Sequence, residues 1–315
     1  MRKILSIDGG GIKGVFPAAF LASIERDCER PLVDYFDLIV GTSTGGIIAL
    51  GLGAGLSAGQ ILSFYESQGP VIFGGARWLG WIRQWFAGKF DSENLERALR
   101  GVLGDRLIGQ SRTRLVIPSQ NLETGEVHIF KTAHHERFVR DYRVQMVTAA
   151  LATSAAPTFF PTHRTASSTP LIDGGIWANN PAGVAAVEAI GVLQWEPREI
   201  LLLSLSCTSN PMNVNLARSL SMGRFYWGVN LLEIVGAGQA SGALGMAQWL
   251  LGHERVYRVD PKMAVGKFGL DKTAEIASLK GLGDSEARKA APALTRFFSE
   301  PSEQFVPFYS VSALG

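Results

Sequence analysis

The sequence predicts an α/β protein whose mostly parallel sheet is covered by helices on both faces, and three observations predict it. Short apolar runs such as 37–41 (DLIVG) and 199–205 (EILLLSL) have no alternating polar face, as strands buried on both sides require. Helical patterns alternate with these runs up to about Ser206. Hydrophobic residues make up 46% of 315 residues and charged residues 18%, a composition that supplies a large core.

Taken in order, residues 3–7 (KILSI) form a β-like run that stops at Asp8 and three glycines. A helical pattern follows from Val15 to Cys28, with Phe16, Phe20 and Ile24 on one face. The run 37–41 reads as a second buried strand, followed by a turn at Ser43 and a small-residue helix from Gly45 to Leu52. Further strands are expected at 114–118, 127–131 and 199–205, and helices at 91–103, 142–154 and 180–194. After Ser206 the chain turns to Gly-, Ala- and Leu-rich helical pieces up to residue 251, then a strand at 255–259 (RVYRV) and a charged helical tail. No repeat or low-complexity linker intervenes, so 206–315 is expected to extend a single domain whose catalytic core spans about 3–205.

Lys plus Arg number 30 and Asp plus Glu 28, a net charge of +2 that gives no reason to expect a nucleic acid polymer as partner. Cys28 and Cys207 sit in no metal-ligand spacing, so neither a disulfide framework nor a metal site is expected, and a cytoplasmic protein is. Arg2 and Lys3 resemble the start of a leader, but Asp8 and the glycines end the apolar run far short of one. His134 and His135 lack metal spacing and read as loop histidines at the site entrance.

Three motifs carry chemistry. Asp8-Gly9-Gly10-Gly11-Ile12-Lys13-Gly14 lies between a strand and a helix and matches G-x-G-x-x-G. Such a turn presents backbone N–H groups to an anion, either a dinucleotide pyrophosphate or the oxyanion of acyl transfer, and the motif alone does not choose. Gly41-Thr42-Ser43-Thr44-Gly45 is G-x-S-x-G between a β-run and a helix, the context of a nucleophile elbow. Asp173-Gly174-Gly175 follows Leu171-Ile172, where an aspartate at a strand end can point into a site, although Asp-Gly is also a common turn pair.

The three motifs in this order resemble the patatin-like phospholipases, as does the run Ala152-Thr153-Ser154-Ala155-Ala156-Pro157-Thr158-Phe159-Phe160-Pro161. The resemblance covers roughly 3–205. It implies a three-layer α/β/α fold, a Ser43–Asp173 dyad, an oxyanion hole from the backbone of Gly9, Gly10 and Gly11, and no cofactor. A Ser43–Asp173–His253 triad follows the chain order of α/β-hydrolases, but His253 reads as a surface or helix-end residue. A nucleotide-binding module is the rival of another class; Glu25, Asp27 and Glu29 are poorly placed for a ribose and it leaves Ser43 and Asp173 unexplained.

Residues 73–90 hold Trp78, Trp81 and Trp85 with Arg77, Arg83 and Lys89 and no acid between them. Aromatic rings with cations suit an anionic membrane surface, and equally suit packing onto the core. The compact chain and the segment Phe130-Lys131-Thr132-Ala133-His134-His135 resemble the bacterial patatin effectors of CBASS antiphage systems. That resemblance implies membrane phospholipid as substrate and a cyclic di- or trinucleotide as activator; it leaves a homo-oligomer open.

Overall fold

The computed structural model describes residues 1–74, 89–209, 224–264 and 267–311. Its strands are β1 (Arg2–Ile7), β2 (Leu38–Gly41), β3 (Arg114–Asn121), β4 (Val127–Lys131), β5 (His163–Arg164), β6 (Pro170–Asp173), β7 (Ile200–Leu205) and β8 (Val256–Val259). They form one sheet in the order β5-β6-β3-β2-β1-β7-β8, with β4 also pairing β3. The pairs β1–β2, β1–β7, β2–β3 and β7–β8 are parallel, and antiparallel pairing is confined to β3–β4, β3–β6 and β5–β6.

Alternation along each strand sends neighbouring side chains to opposite faces. Leu5, Ile7, Ile39, Leu115, Leu203 and Leu205 face one helical layer: α1 (Val15–Glu25), α2 (Thr44–Gly53), α3 (Ala58–Phe73), α4 (Ser92–Leu103), α5 (Met146–Thr153) and, after the chain has passed to the other side and back, a helix at Ile276–Phe298. Ile4, Leu38, Val40, Val116, Ile200 and Leu202 face the other side. There α6 (Gly175–Ala178) leads into α7 (Ala182–Val187), and α8 (Arg224–Leu251) packs over α7. The helix at Ile276–Phe298 is α9. The result is three layers, α/β/α, and both faces of the central strands β1, β2 and β7 are dry, which is why those strands carry no polar alternation.

One feature of the register positions everything that follows. Val116 of β3 pairs with both Val40 and Lys131, and Ser119 pairs with both His128 and Asp173. Strand β4 therefore occupies one edge of β3, while β2 and β6 share the other, one after the other. Because β2 runs with β3 and β6 against it, their C-terminal ends face each other across the gap beside Ile117 and Pro118.

The structure also contains elements the sequence reading does not include. Helix α3 opens on a capping box, in which the Ser57 side chain accepts from Gln60 N–H and the Gln60 side-chain oxygen accepts from Ser57 N–H. Pro70 and the surrounding glycines blur its apolar period. The Gly- and Ala-rich pieces before residue 251 are one continuous helix, α8. The segment expected at 180–194 is α7 followed by a π turn at Glu188–Val192.

Helix α9 seats itself on α1 through Gly283, where a Cβ would come 2.7 Å from both Ala19 Cβ and the Phe16 carbonyl oxygen. Gly283→Leu is expected to force the helices apart at a cost of about 1–3 kcal/mol. Thermal unfolding should register this as a clear fall in Tm, and an unchanged Tm would mean that the two helices do not meet so closely.

Candidate active site

After β2 the chain turns at Thr42 and Ser43 into α2. Ser43 has φ 55° and ψ −124°, a strained conformation for a residue with a side chain. Several bonds hold it there. Ser43 N–H donates to Thr153 Oγ1 at 3.0 Å, and the Thr153 hydroxyl donates to the Pro118 carbonyl, which has no strand partner in the gap between β2 and β6. The Thr42 hydroxyl donates to the Ala178 carbonyl at 2.6 Å, and Gly45 N–H to the Thr42 carbonyl at 2.8 Å. A Cβ at Gly45 would strike the Ile7 carbonyl oxygen, so glycine there lets the start of α2 press against the end of β1.

Asp173 arrives from the opposite direction as the last residue of β6. Its backbone N–H donates to the Ala155 carbonyl at 3.0 Å, and its carboxylate accepts from Gly175 N–H at 2.6 Å and lies beside the Ser43 hydroxyl. Both side chains are buried, Ser43 at 9% and Asp173 at 5% exposure, so water screens neither. Burial pushes the Asp173 carboxyl up to about 6, against the opposing pull of the nearby Ser43 hydroxyl and the Gly175 N–H.

The glycine loop closes the third side. Asp8 N–H donates to the Leu205 carbonyl at 2.9 Å, and the Asp8 carboxylate receives two bonds from the Arg258 guanidinium, at 2.8 and 2.6 Å. Arg258 also donates to Ser204 Oγ at 2.7 Å. A Cβ at Gly9 would lie 3.2 Å from Ser43 Cβ and 2.5 Å from Asn179 Oδ1, which places the loop directly over the serine. The expected oxyanion donors need one correction: Gly9 N–H already donates to the Asn179 carbonyl at 3.0 Å. Gly10 and Gly11 N–H have no acceptor among the described residues. Beyond them the loop is fixed by Ile12 N–H donating to the Leu270 carbonyl at 2.8 Å.

The structure thus brings Ser43, Asp173, Gly9, Gly10, Gly11, Gly14, Gly41, Gly45, Gly174 and Gly175 around one point. Gly14 abuts the Thr44 side chain, Gly41 the Gly45 carbonyl and Gly174 the Pro118 carbonyl. Trp78, Trp81 and Trp85 lie outside the described residues. His253 is exposed with its ring against Trp249, on the turn before β8. Since β8 is parallel to β7 and β1, that turn is at the end of the sheet away from Ser43. His134 lies in a loop, as expected, but not at an open entrance. It is buried after β4, where Nε2 meets Glu188 Oε1 at 2.9 Å and Nδ1 meets Thr132 Oγ1 at 2.8 Å. Sequence reading missed Thr153, Asn179, Arg258 and Leu270; the first two lie in or beside runs that drew notice, and nothing local marks the others.

A family model described as patatin-like phospholipase matches residues 5–186. The chain is 33% identical to a cGAMP-activated phospholipase of Pseudomonas aeruginosa over 82% of this chain and 78% of that protein. It is 38% identical to a cGAMP-activated phospholipase of Vibrio cholerae over 59% of this chain and 57% of that one. The crystal structure of VipD from Legionella pneumophila aligns with a TM-score of 0.49 at 11% identity, covering 93% of this chain and 67% of that chain.

The Asp8–Arg258 pair generates a stability prediction. Arg258→Ala strands a buried carboxylate and is expected to cost about 3–5 kcal/mol in urea unfolding. Adding Asp8→Asn should recover part of that loss by removing the orphaned charge. Unfolding of Arg258→Ala at the wild-type urea midpoint would rule out a stabilising role for the pair.

Proposed function

The chain belongs to the patatin-like phospholipase family, and from that premise we propose that it hydrolyses membrane phospholipid esters with Ser43 as nucleophile and Asp173 as general base, under the control of a cyclic nucleotide. The observation that carries the chemistry is a buried serine hydroxyl beside a buried carboxylate, next to two backbone N–H groups without an acceptor among the described residues.

In this reading Ser43 Oγ attacks the ester carbonyl carbon as Asp173 takes its proton. The carbonyl oxygen becomes an oxyanion that accepts from Gly10 and Gly11 N–H, a kind of stabilisation worth about 100- to 1,000-fold in rate per donor. Asp173 passes the proton to the departing alcohol, then activates water to release the fatty acid from Ser43. An ordinary carboxylate, near 3.9, is a feeble base at neutral pH. Burial of Asp173 moves it towards about 6, a better match to the task.

Control by a cyclic nucleotide is supported by the names of the relatives in Pseudomonas and Vibrio, and a part in antiphage defence by the resemblance to the CBASS effectors. No helix among the described residues is long and apolar enough to cross a membrane. We place the action at the inner face of the membrane, reached from the cytoplasm, with Trp78, Trp81 and Trp85 as contacts on the strength of their composition.

Ser43→Ala should abolish phospholipid hydrolysis and labelling by a fluorophosphonate. Labelling that persists in this variant would exclude Ser43 as the nucleophile. Wild-type hydrolysis should rise on addition of cGAMP; identical rates with and without it would remove the control and leave the hydrolase.

The raised pKa of Asp173 also fixes two pH dependences. Only the ionised carboxylate accepts the Ser43 proton, so kcat/KM should increase with pH through about 6. The folded state favours the protonated form, so the stabilisation is fully present below the unfolded value of about 3.9 and is lost as pH rises through the folded one. Asp173→Asn should therefore be more stable than wild type at neutral pH, by up to about 3 kcal/mol, with the gap closing below about pH 4. A gap that stays constant across this range would refute the titration.

A further inference from the structure

We infer that a cavity beside the catalytic pair, between α4, the C-terminal end of α5 and β5, binds a phosphodiester and couples its occupancy to Ser43 and Asp173. The regulatory half of this inference rests on the nucleotide control proposed above. The cavity has a volume of ≈ 300 Å³, at the lower end of the roughly 300–1,000 Å³ usual for small-molecule sites.

Its chemistry is one-sided. Ser92, Ser154, Thr162, His163 and Arg164 line it and no acidic residue does. The Ser154 side chain is buried, with 6% of the residue exposed, and its hydroxyl has no partner among the described residues; His163 Nε2 is likewise buried and without a partner among them. Polar atoms left so inside a protein are costly, and two of them on residues that line one cavity point to a ligand that supplies the missing bonds. Burial holds the His163 pKa below its ordinary value, with Glu96 pulling the other way, so the ring is neutral and carries one N–H. A hydroxyl, an imidazole and a guanidinium together suit an oxygen-rich acceptor with one negative charge. A fatty acyl chain would satisfy none of them. Leu95, Leu151 and Phe160 add an apolar wall for the ring or glycerol carried by the phosphate.

The coupling runs through three consecutive residues. Thr153 accepts the bond from Ser43 N–H, Ser154 faces the cavity, and the Ala155 carbonyl accepts from Asp173 N–H. A ligand that draws on Ser154 therefore acts on the backbone that positions both members of the pair.

Two phosphodiesters are at hand, a cyclic dinucleotide and a phospholipid headgroup, and the test separates them. The full chain would be titrated calorimetrically with cGAMP and with glycerophosphoethanolamine, and vesicle hydrolysis would be followed with and without cGAMP. One of the two is expected to bind wild type, and Ser154→Ala or Arg164→Ala should weaken it about tenfold or more, while Arg164→Lys retains most of the affinity. Arg164 is exposed, so its substitution leaves folding intact; Leu95→Trp should fill the cavity and block binding. Where cGAMP is the ligand, activation in these variants should need correspondingly more of it. Activation at wild-type concentrations in every variant, without headgroup binding, would overturn the cavity and spare nucleotide control. Headgroup binding that depends on Arg164, with no response to cGAMP, would support the cavity and remove nucleotide control. Binding of neither probe would overturn the inference.

Discussion

Strand β3 lends a single edge to two strands arriving from opposite directions, and the candidate site exists because of the gap between them. Val40 is the last residue of β2 to pair with β3, and Asp173 closes β6 at Ser119. Between these points the edge of β3 has no strand partner, so the Pro118 carbonyl turns to the Thr153 hydroxyl and, through it, to Ser43 N–H. Backbone groups that a continuous sheet would have consumed are thus used to hold a strained serine in place. A uniformly parallel sheet would carry the next strand past this point and leave no room for an aspartate to meet the serine head-on.

The glycine loop depends on parts of the chain far from it in sequence. Its first residue is anchored by Arg258 on β8, its second by the Asn179 carbonyl, and its exit by the Leu270 carbonyl. Two of these anchors lie beyond residue 186, where the family match ends. Cys207, buried against Gly10, completes the enclosure, and its thiol donates to the Asp8 carbonyl. The segment after β7 therefore does more than cover the sheet, since it fixes where the Gly10 and Gly11 N–H groups stand.

Most of the framework was legible in sequence because it rests on local signals. Runs such as LIVG and ILLLSL are buried on both faces and read as strands without knowledge of their neighbours. The elbow glycines and Asp173-Gly174-Gly175 mark places where backbones approach closely, a need that only glycine meets cheaply. Legibility ended where partners were set by topology. Nothing near Arg258 announces that its mate is Asp8, and nothing in Thr153 announces Pro118. The Asn179 carbonyl captures Gly9 N–H, which no glycine motif could disclose. His134 reads in the sequence as a loop residue at the site entrance because its partner Glu188 comes from a distant π turn.

The same glycines that shape the site also set its acid–base character. A lone aspartate can serve as base to a serine near neutral pH only if it is kept dry, because solvation restores its ordinary strength as an acid. Dryness at Asp173 comes from the close approach of β1, α2, α6 and β6, and each contact passes through a residue with no side chain: Gly9, Gly45, Gly174 and Gly175. Enlarging any of them would separate the layers by the width of a methyl group or more. That would admit solvent and lower the carboxyl as well as displacing the serine. Geometry and proton affinity at this pair are therefore one constraint, and the absence of a histidine between Ser43 and Asp173 follows from it. An imidazole would need the very space whose exclusion keeps the carboxylate basic.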